Sequence, residues 1–258
     1  MGSPQTLSLI RKTLLIAYCC IPTLMITTGV AEEAIEGTII ADEADAAPAY
    51  NSDNSQYSRE RINDTTINIG RQGPQGRFHQ AMVMPFQLPD LGEVENPFQS
   101  ASFTFYFSST VNDVSNFNLD LYGLAVRDNA AVLPASPSTT DPGDFFMGGF
   151  DGWPTVDETE GVVKLQDNIL TSAIDEGSYV TTSTAGSEEL LDYLNVAYDG
   201  GEGIGEWAFL RLSTDATPGG VVYYTIASAN NSNTNHHPRI VYTADPPPPS
   251  YGTLLSIK

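Results

Sequence analysis

Short apolar runs separated by turn residues dominate the chain. The clearest is SASFTFYFSST, residues 100–110, in which Phe103, Phe105 and Phe107 share one face and Thr104, Tyr106 and Ser108 the other. A two-residue period of this kind marks a strand buried on one side. FNLDLYGLAV, residues 117–126, repeats the device, with Phe117, Leu119 and Leu121 opposed to Asn118, Asp120 and Tyr122. Two strands with one apolar face each need a second sheet to cover them, which is the requirement of a sandwich.

The same reading extends along the chain. Thr38 to Ala41 start a first edge strand, followed by an irregular loop to about residue 60. TTINIG, from Thr65 to Gly70, is a short strand ending on glycine. RFHQAMVMPFQLP is one longer strand, and Pro85 inside it places that strand at an edge or a bulge. GVVKLQDNIL and the closing RIVYTA are further strands, and EWAFLRLS pairs with VVYYTIASA through a turn around Thr217 to Gly220. One helix stands out, SEELLDYLNVAYDGG. Ser187 is its expected N-cap, Leu190, Leu191 and Leu194 its apolar stripe, and Gly200 and Gly201 its stop. The expected fold is all-β, an antiparallel jelly-roll-like β-sandwich with one short helix.

The N-terminus reads differently. Arg11 and Lys12 precede a mostly apolar stretch, Thr13 to Met25, and Gly29 to Ala31 are small. This is the pattern of a secretory signal peptide cut after Ala31. The apolar stretch is short for a spanning helix, which needs about 20 residues. Tyr18 stands where a lipoprotein box needs a small residue before Cys19 and Cys20. The domain expectation is therefore 1–31 signal peptide, 32–244 sandwich, and 245–258 proline-rich tail or linker stub.

Cleavage changes the chemistry that remains. Both cysteines leave, so thiol catalysis and zinc–thiolate sites leave with them. Loss of Arg11 and Lys12 reduces the 11 basic residues to 9 against 32 acidic, so the net charge moves from −21 to −23. Such a chain repels nucleic acid and anionic membrane, which need a positive footprint. No Gly-x-Ser-x-Gly elbow, His-Glu-x-x-His pair, phosphate loop or dinucleotide fingerprint is present. Two facing carboxylates suffice for glycoside hydrolysis, but with so many acids no chosen pair is informative.

Four stretches, in order, carry a resemblance. They are TTINIGRQGPQGRFHQAMVMPFQLPDLG, FQSASFTFYFSS, SEELLDYLNVAYDGG and YYTIASANNSNTNHHPRIVYT. Together they resemble the secreted β-sandwich modules of the DNRLRE type, grouped with carbohydrate-binding modules. That family's tryptophan-rich middle segment is replaced here by Asp144 to Thr155. The terminal PPPPSYGTLLSIK also resembles the start of a PEP-CTERM sorting tail, without its glutamate and its span.

The resemblance implies a non-catalytic, extracellular or cell-surface module whose partner is a polysaccharide or the surface matrix. The alternatives are a structural or adhesive surface protein without a sugar ligand and, third, a polysaccharide-active enzyme. Sugar C–H faces stack on flat rings, so the candidate ligand-binding residues are Trp153, Phe150, Phe146 and Tyr122. Phe145 and its phenylalanine neighbours have a competing role as core. Asp141, Asp144, Asp151 and Asp157 cluster in one long loop and are the candidate calcium ligands, against the competing reading of a solvated acidic loop; no other cofactor is expected. A second acidic group, Asp199, Glu202 and Glu206, follows the helix. His236 and His237 mark a polar junction between a loop and the last strand rather than a metal site, because neighbours on a strand point apart.

Overall fold

The structure is a computed structural model that describes residues 33–51, 56–60, 64–132, 145, 162–216 and 218–246. Its strands are β1 (Ile35–Ile40), β2 (Ala47–Asn51), β3 (Gln56–Glu60), β4 (Thr66–Gln72), β5 (Phe78–Gln80), β6 (Met82–Gln87), β7 (Phe98–Val111), β8 (Leu119–Arg127), β9 (Val163–Leu170), β10 (Ser178–Thr181), β11 (Trp207–Thr214), β12 (Val222–Ala227) and β13 (Arg239–Ala244). Helix α1 (Thr184–Tyr198) lies between β10 and β11. All pairings are antiparallel. One sheet runs β1–β13–β7–β12–β4–β5–β2–β3, with β10 also paired to β7; the other is β6–β11–β8–β9. The protein is a β-sandwich.

Phe103, Phe105 and Phe107 of β7 and Ile67, Tyr224 and Ile240 of its sheet enter one core with Met84, Phe86, Leu121 and Leu210 of the smaller sheet. β7 and β8 thus stand in different sheets, each covering the other's apolar face. Pro85 sits in β6, an edge strand, where its missing N–H breaks no ladder.

Four expectations are corrected. The segment after β1 contains the β2–β3 hairpin rather than an irregular loop. RFHQAMVMPFQLP is two strands, because the chain passes from the large sheet to the small one at Ala81. β11 and β12 do not pair; they belong to opposite sheets. The cap of α1 is Ser183, whose Oγ accepts the Gly186 N–H at 3.1 Å, and Ser187 lies inside the first turn. Gly186 allows the earlier start, since a Cβ there would meet the Gln166 side chain at 2.2 Å. At the other end Asp199 takes the left-handed position, φ 43°, and its N–H caps Asn195.

α1 packs on β7 and β9 through Leu190, Leu194 and Tyr198. Asn195 adds a polar seam. Its Oδ1 accepts the Phe98 N–H at 3.0 Å, and its Nδ2 donates to the Phe98 carbonyl at 3.1 Å. The side-chain amide imitates a neighbouring strand at the start of β7. Replacing Asn195 by leucine orphans both groups, and an expected loss of about 2–3 kcal/mol is measurable by urea unfolding.

One register detail shapes the surface. Thr104 of β7 pairs with Thr181 on one side and Arg239 on the other; Phe107 pairs with Ser178 and with Ile226. β10 therefore takes one edge of β7, while β12 and β13 lie end to end along the other. Residues 228–238 are an excursion between them, opening opposite Tyr106.

Candidate functional site

The excursion is built from amides and hydroxyls that hold one another. The Ser228 N–H donates to the Thr65 carbonyl at 3.2 Å and Asn231 Nδ2 to the same oxygen at 2.9 Å. Asp45, only 1% exposed, accepts the Ala229 N–H at 2.7 Å and Asn230 Nδ2 at 3.0 Å. Burial pushes the Asp45 carboxyl up to about 7, against the lowering effect of these two hydrogen bonds, and Asp42 and Glu43 push it the same way as burial. The loop is thus pinned at its first half by a buried acid from the β1–β2 connection.

Its second half brings the adjacent histidines to different tasks. His237 Nε2 donates to the Asn231 carbonyl at 2.7 Å and stays within the loop. His236 accepts from Asn233 Nδ2 at 2.9 Å and lays its ring on Tyr106, centroids 3.6 Å apart and planes 2° apart. Tyr106 in turn meets Tyr179 of β10 edge-on at 5.2 Å. The Arg239 guanidinium lies 5.5 Å from the Tyr179 centroid and donates to the Asn235 carbonyl at 2.8 Å. Tyr179 is 47% exposed. The result is a cluster of three rings on the outer face of the large sheet, edged by one guanidinium and by Asn233 and Asn235.

The strand rows beside the cluster carry two charged side chains, Arg239 and Glu36. Registers place Ile40, Arg239, Thr104 and Thr181 in one row and Thr38, Val241 and Ser102 in the next. Glu36, Thr243 and Ser100 form a third row. Shared orientation is confirmed by hydroxyl contacts between Thr104 and Thr181 at 2.9 Å and between Ser100 and Thr243 at 2.7 Å. Of the chain's 32 acidic residues, Glu36 alone falls in these rows. Ile40 and Val241, at 54% and 42% exposed, add apolar surface. A hydroxyl-lined face bearing a partly exposed ring cluster can stack on and hydrogen-bond a neutral polyol.

Trp153, Phe150 and Phe146 lie outside the described residues, as do Asp141, Asp144, Asp151 and Asp157. Tyr122 is buried at 5% exposure, so its ring is not presented to a ligand. It lies between two cations, 4.5 Å from the Arg211 guanidinium and 5.5 Å from Lys164 Nζ. Its burial has a physical cause that alternation conceals: the second face of the small sheet carries its own apolar cluster, with Val83, Leu124, Phe145 and Phe209. Phe145 is core, packed at 5.4 Å on Phe209 and under the Arg127 guanidinium at 4.0 Å. Beneath Tyr122, Asp120 accepts Lys164 Nζ at 2.9 Å and the Asn168 N–H at 2.8 Å; burial still raises its carboxyl above the usual range.

Among the described residues, no group of three or more His, Cys, Asp or Glu side chains is placed to hold a metal ion. His79, the third histidine, is buried in β5, and desolvation first, then Arg71, lowers it to about 3, so it stays neutral. No helix among the described residues is long and apolar enough to cross a membrane. No protein-family model matches the chain, and a search of curated proteins finds no significant relative.

The ring cluster escaped the sequence because its members are scattered. Tyr106 sits in a strand, Tyr179 in a four-residue strand with no alternation long enough to read, and His236 in a loop. The one available signal was Tyr106 itself, a large ring on the polar side of an otherwise Ser/Thr face.

Proposed function

We propose that this chain is a non-catalytic extracellular module that binds an uncharged polysaccharide on the outer face of its large sheet. The observation that carries the reading is the Tyr106–Tyr179–His236 cluster, with Tyr179 exposed and the other two rings half-buried, beside strand rows whose one carboxylate is Glu36 in a chain of net charge −21. Ring faces stack on sugar C–H surfaces, and the flanking amides and hydroxyls take up sugar hydroxyls. The scarcity of carboxylates matters because a neutral polymer gains nothing from a carboxylate it must desolvate. The secretory pattern before Ala31 supports an extracellular setting.

A panel of neutral insoluble and soluble polysaccharides, mixed with purified protein and assayed by depletion or affinity electrophoresis, tests this. Binding is expected, and Tyr179→Ala is expected to weaken it at least tenfold while leaving the thermal midpoint within 2–3 °C, since an exposed ring contributes little to the core. Tyr179→Trp should retain binding. If no glycan is bound, the alternative of a structural or adhesive surface protein holds. Turnover of any polysaccharide would overturn both.

A further inference from the structure

We propose that a groove between α1 and the small sheet is a docking site for a basic peptide segment carrying aliphatic anchors. The groove shares no residue with the ring face. It encloses about 620 Å³, which suits two or three aliphatic side chains. Its floor is apolar: Leu124 and Val126 from β8, Val163 from β9, and Tyr193, Val196 and Ala197 from α1. Val196 is 78% exposed, the most exposed large hydrophobic side chain among the described residues. An isolated surface valine needs no explanation, but one over a concave apolar floor beside the 39% exposed Val163 marks a contact patch.

The rim supplies the chemistry of the partner. Glu189, Asp192, Asp199, Glu202 and Glu206 line it, and among the described residues no Lys or Arg does. The arrangement is costly to the fold itself. Glu189 and Asp192 stand three residues apart on one helix face, where like charges repel. α1 carries no basic residue, so the partial negative charge of its C-terminus meets the carboxylates of Asp199, Glu202 and Glu206 with no cation from its own last turn. Basic side chains from a partner relieve both repulsions, while an aliphatic neighbour covers Val196. The apolar floor selects against a free inorganic cation, and the charge selects against a second copy of this acidic chain.

The test uses the purified full chain and three fluorescently labelled peptides of equal length: alternating Leu and Lys, alternating Ser and Lys, and alternating Leu and Glu. The Leu–Lys peptide is expected to bind, with affinity falling as salt rises. Ser–Lys should bind at least tenfold more weakly, and Leu–Glu not at all. Glu202→Lys with Glu206→Lys, and separately Val196→Asp, should each weaken the Leu–Lys peptide at least tenfold without moving the melting curve. Val196 and Glu202 are exposed, Glu206 is half-buried, and none of the three belongs to the core. Equal binding of Leu–Lys and Ser–Lys would reduce the effect to bulk charge and overturn the proposal. So would failure of Leu–Lys to bind, or indifference of its affinity to these substitutions. Sedimentation as a dimer that Val196→Asp dissociates would assign the groove to a second copy instead.

Discussion

Phe98→Ala lowers the free energy of unfolding by about 3–5 kcal/mol, read from the urea midpoint at unchanged slope. The size follows from where the ring sits. Phe98 is 2% exposed and meets Tyr198 of α1 edge-on at 5.8 Å and Tyr242 of β13 edge-on at 5.2 Å. It is the point where helix, first turn of β7 and closing strand meet. Truncation leaves a void walled by two aromatic rings, each anchored elsewhere. Tyr198 accepts the Leu91 N–H at 2.8 Å and donates to the Gly92 carbonyl at 2.8 Å, so it cannot move in to fill the space. A rigid wall puts the cost toward the upper part of the range. A loss under 1 kcal/mol would mean that α1 is not held on the sandwich at this point.

Stability falls as pH rises from about 4 to 7, and Asp45 is responsible for much of the slope. Its carboxyl titrates at about 7 in the folded protein against an ordinary 3.8 in the unfolded chain. Between those values the folded state holds a proton the unfolded state has released, so raising pH favours unfolding. The contribution is fully present below the unfolded value and is lost by the time pH passes the folded one. Three units correspond to the order of 4 kcal/mol, an upper figure because a relaxed loop admits water. Asp45→Asn removes the titration, so the difference in stability between variant and parent should grow from pH 4 to pH 7 and then level. Thermal or urea melts across that range measure it; a difference independent of pH would show that Asp45 titrates normally.

The two predictions bear on different parts of the molecule's logic. Phe98 concerns how the helix is held on the sheet. Asp45 concerns how the excursion of residues 228–238, which carries His236 to the ring face, is pinned. A buried acid is an expensive pin, and aliphatic packing would hold a purely structural loop more cheaply. The cost is consistent with a loop whose position matters to the face it completes.

The alternating strands were legible because a half-buried sheet writes its own period into the chain. Phe103, Phe105 and Phe107, the RIVYTA strand, the edge position of Pro85 and the apolar stripe of α1 all follow from local pattern. Even the polar stretch from Ser228 to Asn235 could be placed as a loop before the last strand. What local pattern could not do was say which strands pair. EWAFLRLS and VVYYTIASA are neighbours in sequence with a turn between them, yet they lie in opposite sheets; nothing in either strand encodes that choice. β10 is four residues long, too short for a period to show.

Sequence by itself determined the class of the protein: alternating strands, one amphipathic helix and few basic residues. Tertiary structure alone decided its surfaces. Tyr122 looked available and is buried, because the small sheet has apolar contacts on both faces. Tyr106, Tyr179 and His236 looked unrelated and stack together, because β12 and β13 share one edge of β7 and the gap between them is filled by a histidine ring. Burial on the second face and collinearity of two strands are long-range facts. The second joins segments more than 100 residues apart and the first brings Phe209 to Tyr122 from 87 residues away, and no short window of sequence contains both partners.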